Sequence, residues 1–461
     1  LYEVKKAGET VNELEAGYFV TAGRLDDYNE DERVRDTDGE LKIYPKGTFI
    51  YRLAGREREK SASYYTPEVL TQCLVKYALK ELLKDKTADE ILKLKICEPA
   101  MGSAAFINEA VNQLAEAYLT LKQKELGESI PHDRYIEEKQ KVKMYIADNN
   151  AYGIDLNEIA VELAEVSIWL NTIYKGAYVP WFGTQLMNGN SLIGAKRSVY
   201  MPEQLKAAKN KRWYNDEPER LKPGTQRGAK DVYHFLLGDP NMSKYGDSVI
   251  KKMATGAIKQ INDWNKAFTD KMSDGEIQRL QALSNKVDDL WDKHLQILKK
   301  VNGYTKETLS VYGHDEQLIK KPLTTREKDR ILKEYYHTQE MAVSGPYARL
   351  KAAMDYWCAL WFWPIERADQ LPTRNEYLME LSMILEGNLV TPNRERPKLF
   401  DDSEPGKEIQ ELFRDVGEVN LDILYERSER LRIVRDIAKR QKFFHWELEF
   451  ADIFDERGGF D

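Results

Sequence analysis

Between Pro67 and Leu83 apolar side chains fall at Val69, Leu70, Leu74, Tyr77, Ala78 and Leu82, a spacing that predicts a helix. Thr66 offers an N-cap, and Pro67 suits the first helical position. Lys93 to Cys97 reads as a short strand ending in the turn Glu98-Pro99-Ala100-Met101-Gly102-Ser103. Helical spacing resumes over Ala104 to Leu121, and a second, charged helix is predicted from about His132 to Tyr145. Asn150 to Leu156 is the next strand. Glu158 to Ile173 then reads as a helix with Ala160, Leu163, Ala164 and Leu170 on one side. Two strand–turn–helix units in succession imply a parallel α/β sheet.

The pattern changes on either side of this block. Residues 1–60 are polar and irregular, with short β-like runs at Leu41 to Tyr44 and Thr48 to Leu53. After Gly194 long charged helices dominate, among them one carrying Ile277, Leu280, Leu283, Val287, Leu290, Trp291, Leu295 and Leu298. Further helices are expected near Glu376 to Leu385 and Ser428 to Gln441. The apolar run Tyr356 to Pro364 is too short to span a bilayer and reads as core. Four segments result: a polar, β-containing 1–60, an α/β core at 61–195, a mostly helical insertion at 196–445, and 446–461 as the lead-in to a further core strand.

Composition narrows the function classes. Hydrophobic residues make up 42% and charged residues 32% of the 461, enough for a sizeable core. No signal-peptide pattern or membrane-length apolar run occurs, so a cytoplasmic protein without membrane contact is expected. Cys73, Cys97 and Cys358 show no metal or disulfide spacing, and the six histidines form no ligand-like pair, so no metal is expected. The net charge of −8 gives nucleic-acid binding no general support. The basic run Lys206 to Arg212 reads first as a solvated helix face. Asp133 with Glu137-Glu138-Lys139 sits in a charged helix rather than on strands, which argues against a nuclease site.

Four short stretches carry candidate chemistry. In the Glu98 to Ser103 turn, Gly102 allows close backbone approach by a ligand, and the following helix offers free N–H groups. Glu98 suits an ammonium group, and without Gly-Lys-Ser/Thr a nucleotide triphosphate loop is excluded. Asp155 ends the second strand, where an acid accepts from ribose hydroxyls. It lies 53 residues after Gly102 rather than the ~20 of the simplest dinucleotide unit, which disfavours nicotinamide. Asn190, in Asn188-Gly189-Asn190-Ser191, could read an adenine edge, and Ser63-Tyr64-Tyr65-Thr66-Pro67 suits a carboxylate at a helix start. Each alone is also an ordinary turn or helix start.

In this order, Tyr64 to Pro67, Glu98 to Phe106, Gly153 to Leu170 and Gly189 to Gly194 resemble the adenine-N6 DNA methyltransferases of the gamma arrangement. In particular they resemble the methylase part of fused type II restriction–modification enzymes and phage-defence methylases, specifically over about 61–195. The resemblance implies a Rossmann-like core binding S-adenosylmethionine, and double-stranded DNA as substrate with the adenine flipped out. Other subunits of a restriction or defence system are possible partners. It also implies residue roles. Tyr64, Tyr65 and Thr66 would flank the methionine carboxylate, and Glu98, Ala100 and Gly102 the methionine part. Asp155 would hold the ribose, Leu156 would lie beside the adenine and Asn190 near its amine. Ala104 departs from the pattern by standing where the family loop often has a second glycine.

The family's catalytic tetrapeptide, Asn/Asp-Pro-Pro-aromatic, occurs nowhere in the chain. Adenine's amine is a poor nucleophile because its lone pair is delocalised; an Asn oxygen and a backbone carbonyl accept its hydrogens while the aromatic ring stacks on the base. Asp239, in Gly238-Asp239-Pro240-Asn241, is the nearest match and lacks the second Pro and the ring. Arg457-Gly458-Gly459-Phe460-Asp461 instead resembles the approach to the strand that carries the motif. The chain therefore reads as a piece with an incomplete core, inactive alone and a poor cofactor binder. Two other readings stay open: a non-catalytic methyltransferase-fold scaffold serving a partner, and a methyltransferase acting on RNA or protein.

Overall fold

The computed structural model describes the chain except residues 6, 9–10, 12–16, 37, 49–65, 207–211, 308, 315–322 and 388–418. Two compact units result, Leu1–Thr71 and Gln72–Asp461.

In the first unit, β1 (Tyr2–Val4) pairs antiparallel with β2 (Tyr18–Val20) over a small core of Val4, Val20 and Leu25. Leu41 and Ile43 join through isolated bridges, while the expected run from Thr48 onward lies largely outside the described residues.

The second unit holds a three-stranded parallel sheet of order β3 (Ile96–Glu98), β4 (Ala151–Asp155), β5 (Leu186–Asn188). Around it run α1 (Glu68–Leu82), in this unit from Gln72 onward, α2 (Ala105–Leu126), α3 (His132–Asn150) and α4 (Glu158–Thr172). Helix α2 runs five residues past its expected end because its buried face continues to Lys122, which pairs with Asp89, and the helix stops only at Gly127, a left-handed cap. Two helices turn differently from expectation. In α4 the buried face is Ala160, Val161, Ala164 and Ile168, and Leu163 and Leu170 point outward. The alanines let the helix approach the sheet closely, which places the larger leucines outside. In α1 Val75 and Leu79 are buried, whereas Val69, Leu70, Leu74 and Tyr77 are exposed.

Beyond Gly194 lies a small antiparallel sheet, β7 (Glu219–Arg220), β6 (Ser198–Tyr200), β8 (Val232–Tyr233), and then the helical region. It includes α5 (Thr255–Phe268), α6 (Asp274–Thr305), α7 (Pro346–Ala359), α8 (Arg374–Glu386) and α9 (Glu429–Gln441). Helix α6 buries the expected series from Ile277 to Leu298, except Leu295, which is half-buried. The Tyr356 to Trp363 run is core, with Tyr356, Ala359 and Leu360 fully enclosed. Among the described residues no helix is long and apolar enough to cross a membrane.

The segment after 445 is helical as far as Arg457, and the stretch Gly458 to Asp461 that resembles a strand approach follows it. Trp446–Glu449 is a helical turn and α10 (Ala451–Arg457) a short helix. Trp446, Phe450, Ile453 and Phe454 recur at helical spacing and pack with Tyr152, Ile154 and Phe444. Asp461 lies beside the start of β3, donating its N–H to the Lys95 carbonyl at 2.8 Å.

Candidate functional site

The carboxyl ends of β3, β4 and β5 form the site. Parallel register sets Glu98 beside Gly153 and Asp155 beside Asn188. The loop after β3 folds over β4: Met101 N–H donates to the Ile154 carbonyl at 3.0 Å, and a Cβ on Gly153 would stand 2.3 Å from the Met101 sulfur. Glycine at 153 is what allows this overlap. The loop then takes two left-handed residues, Gly102 (φ +55°) and Ala104 (φ +67°), before α2 begins.

Asp155 joins the first two strand ends. Its Oδ2 accepts the Gly102 N–H at 2.8 Å, and its Oδ1 accepts the Asn157 N–H at 2.8 Å at the start of α4. Each carboxylate oxygen has a second lone pair left for a ligand hydroxyl. Leu156 follows with 53% of its surface exposed, an apolar rim at the strand end. Glu98 is half-buried and accepts the Ala100 N–H, and burial holds its carboxyl above the ordinary range. Asn190 uses its Oδ1 to accept the Leu192 N–H at 3.2 Å.

Glu98, Ala100, Gly102, Asp155, Leu156 and Asn190 therefore share one rim. Thr66 belongs to the other compact unit, and Tyr64 and Tyr65 lie outside the described residues. Asp239 sits in the helical region, its Oδ1 accepting the Asn241 N–H at 2.8 Å and its carbonyl the Asn265 amide at 3.3 Å. Sequence reading missed Asn188, whose Nδ2 donates to the carbonyls of Asp155 (3.0 Å) and Leu156 (3.1 Å). Its place two residues before Asn190 was a usable signal. Among the described residues no group of three or more His, Cys, Asp or Glu could hold a metal ion.

A cavity of about 370 Å³ opens beside the rim, between α1, α2 and the free edge of β3. Its lining is mainly apolar, including Val75, Leu79, Ile96 and Ile107, with Glu98 and Asp461 as its acids. Asp461 also accepts the Lys95 N–H at 2.8 Å through Oδ2, so residue and strand edge are bonded twice.

Residues 149–461, well over half of the chain, match the family described as Eco57I restriction-modification methylase. Over 237 residues the chain is 27% identical to a Methanocaldococcus jannaschii protein named as a putative type II restriction enzyme and methyltransferase. The alignment covers 41% of this chain and 19% of that protein, so the chain spans about a fifth of its relative's length. No solved structure matches.

Proposed function

The chain belongs to the Eco57I restriction-modification methylase family, and from that premise we propose that it forms the S-adenosylmethionine-binding part of a methylase modifying adenine N6 in double-stranded DNA. The reading extends to service in a restriction or phage-defence system, with other subunits of that system as partners. The observation that carries it is Asp155 clasping the Gly102 N–H, which joins the two loops that the cofactor's methionine and ribose parts would touch.

The residues present fit the group. The rim offers a carboxylate at Glu98 for an ammonium, spare lone pairs at Asp155 for hydroxyls, and exposed apolar surface at Leu156 for a purine ring. A Cβ built on Gly102 meets nothing within 4 Å, so the loop has open space on that side. When bound, S-adenosylmethionine supplies an electrophilic methyl carbon; this chain's share is to bind and orient it.

The acceptor side needs the Asn-Pro-Pro-aromatic turn, which we place on a strand added at the free edge of β3. The pair of hydrogen bonds between Asp461 and Lys95 supports that placement, as does the apolar cavity beside it, which aliphatic side chains of such a strand would fill. Base extrusion would bring the adenine amine to that turn.

Methyl transfer from tritiated S-adenosylmethionine to DNA tests the proposal. Residues 1–461 alone should give no methylated adenine, and a polypeptide that also carries the Asn-Pro-Pro-aromatic strand should give it, losing it on Asp155→Ala. Methylated adenine from residues 1–461 alone would sink the strand placement and return attention to Asp239.

A further inference from the structure

After α9 the chain returns to the rim and runs beside the loop that follows β5. The Asn190 N–H donates to the Lys442 carbonyl at 2.7 Å and the Phe444 N–H to the Ile193 carbonyl at 2.9 Å, so Asn190 and Phe443 pair as a parallel bridge. Trp446 Nε1 donates to the Ser191 carbonyl at 2.8 Å. The approach is close enough to dictate sequence: a Cβ on Gly194 would stand 2.0 Å from the Phe444 carbonyl oxygen.

The returning segment is itself anchored in the helical region. His445, fully buried, accepts the Ala195 N–H on Nδ1 at 3.0 Å, so its proton sits on Nε2 and is donated to Asp355 of α7 at 2.9 Å. Asp355 also holds Lys351 at 3.0 Å. The loop bearing Asn190 is thus braced from α7 through His445.

Lys442 carries the brace to the strand ends. It caps α9 in a left-handed conformation (φ +51°), and its Nζ donates to Asn188 Oδ1 at 2.8 Å and to the Leu156 carbonyl at 3.2 Å. An ammonium can only donate, so it fixes which way the Asn188 amide faces: oxygen toward Lys442, NH2 toward the Asp155 and Leu156 carbonyls.

We propose that Lys442 is a positioning residue, contributed by the helical region, that sets the Leu156 peptide and the Asn188 amide for the adenosine half of the ligand. The proposal rests on reading Asp155, Leu156 and Asn190 as the adenosine side. A charge-assisted pair of bonds holds two acceptors that belong to different strands. Without it the amide can rotate and the rim must be ordered on binding, at the expense of affinity.

Isothermal titration of a polypeptide that carries residues 1–461 and the Asn-Pro-Pro-aromatic strand, with S-adenosylmethionine, 5′-methylthioadenosine and methionine, tests this, using Lys442→Met, Lys442→Arg and Asp155→Ala. Lys442→Met should weaken both adenosine-bearing ligands about ten-fold, with methionine binding and the thermal midpoint little changed. Lys442→Arg, which keeps the donors, should recover most of the loss. If Lys442→Met binds like the unaltered chain while Asp155→Ala does not, the positioning role is wrong and the cofactor reading stands. If Lys442→Met lowers the thermal midpoint and weakens all three ligands equally, its role is structural and the proposal fails. If the unaltered polypeptide with that strand in place binds none of them, or its Asp155→Ala variant binds as tightly, the cofactor reading falls and the proposal with it.

Discussion

Around α6, α7 and α8 large side chains are sealed, with Trp291, Trp363, Tyr356 and Tyr377 each at most 2% exposed. Around α1 and α4 the opposite holds: Leu74, Tyr77, Ile159, Leu163, Val166 and Leu170 all stand half or more in solvent. The helical region is held by aromatic burial. The rim is held by single bonds such as Gly102 to Asp155, next to a strand of three residues with a free edge. Stability resides in the first region, and the groups suited to ligand chemistry sit in the second, where packing is least complete. The widest break in this comparison comes from the sealed core. Trp363→Ala should cost about 3–5 kcal/mol in denaturant unfolding, because it removes a buried ring from surroundings that cannot collapse. A loss under about 1 kcal/mol would deny the helical region its stabilising part.

Changing pH separates the regions by sign. His294 on α6 is buried, donates from Nε2 to the Leu448 carbonyl at 2.8 Å, and has no hydrogen-bond partner at Nδ1. Burial pulls its pKa down from 6.5 to about 4. The unfolded chain then binds a proton that the folded chain refuses, so stability from this group is present above pH 6.5 and lost as pH falls toward 4. The 2.5-unit span corresponds to about 3 kcal/mol. Asp148 on α3 works in reverse. Burial raises its carboxyl from 3.8 to about 7, so its contribution is full below pH 3.8 and lost as pH rises through 7. Acidification from pH 7 to 5 should therefore loosen the helical region while firming α3, as followed by amide hydrogen exchange. His294→Gln should flatten the first response and Asp148→Asn the second; identical pH profiles in both variants would show that neither group drives it.

The rim gives a smaller stability effect and a larger binding effect. Asp155→Ala strips an acceptor from the Gly102 and Asn157 amides and should cost about 1–3 kcal/mol of stability. In titration of a polypeptide that also carries the Asn-Pro-Pro-aromatic strand it should abolish measurable S-adenosylmethionine binding. Asp155→Asn, which keeps one acceptor, should retain most of the stability; equal losses in both variants would place the effect in packing instead.

Legibility in the sequence divided along the same line. The order strand, turn, helix was readable from Ile96 to Thr172 because local spacing encodes it, and Gly102 and Asp155 were found from their turns. Which face α1 and α4 bury was not readable, whereas the buried face of α6 was. Helix α4 is apolar on two sides, and only the sheet decides that Ala160 and Ala164 go in and Leu163 goes out. The helicity of Trp446–Arg457 was passed over because the segment was grouped with the strand approach at Arg457 to Asp461, although Trp446, Phe450 and Phe454 keep a four-residue spacing. Lys442 carried no local signal, because its partners Leu156 and Asn188 lie 286 and 254 residues away.

Ala104 offers the finest test of how the rim is held. Its φ of +67° is a conformation that costs a residue with a Cβ about 1 kcal/mol, and a glycine would not meet that cost. Yet Ala104 is completely buried among the side chains around α2, so its methyl group returns something of the order of 0.8 kcal/mol. The two terms nearly cancel, and Ala104→Gly should shift unfolding free energy by less than about 1 kcal/mol in either direction. Ala104→Val should do far worse, since a branched side chain meets the same backbone strain and finds no room at a fully enclosed position. A clear gain from glycine would mean that strain dominates the loop. A clear loss would mean that even at the rim burial outweighs backbone conformation, which would narrow the contrast with the helical region.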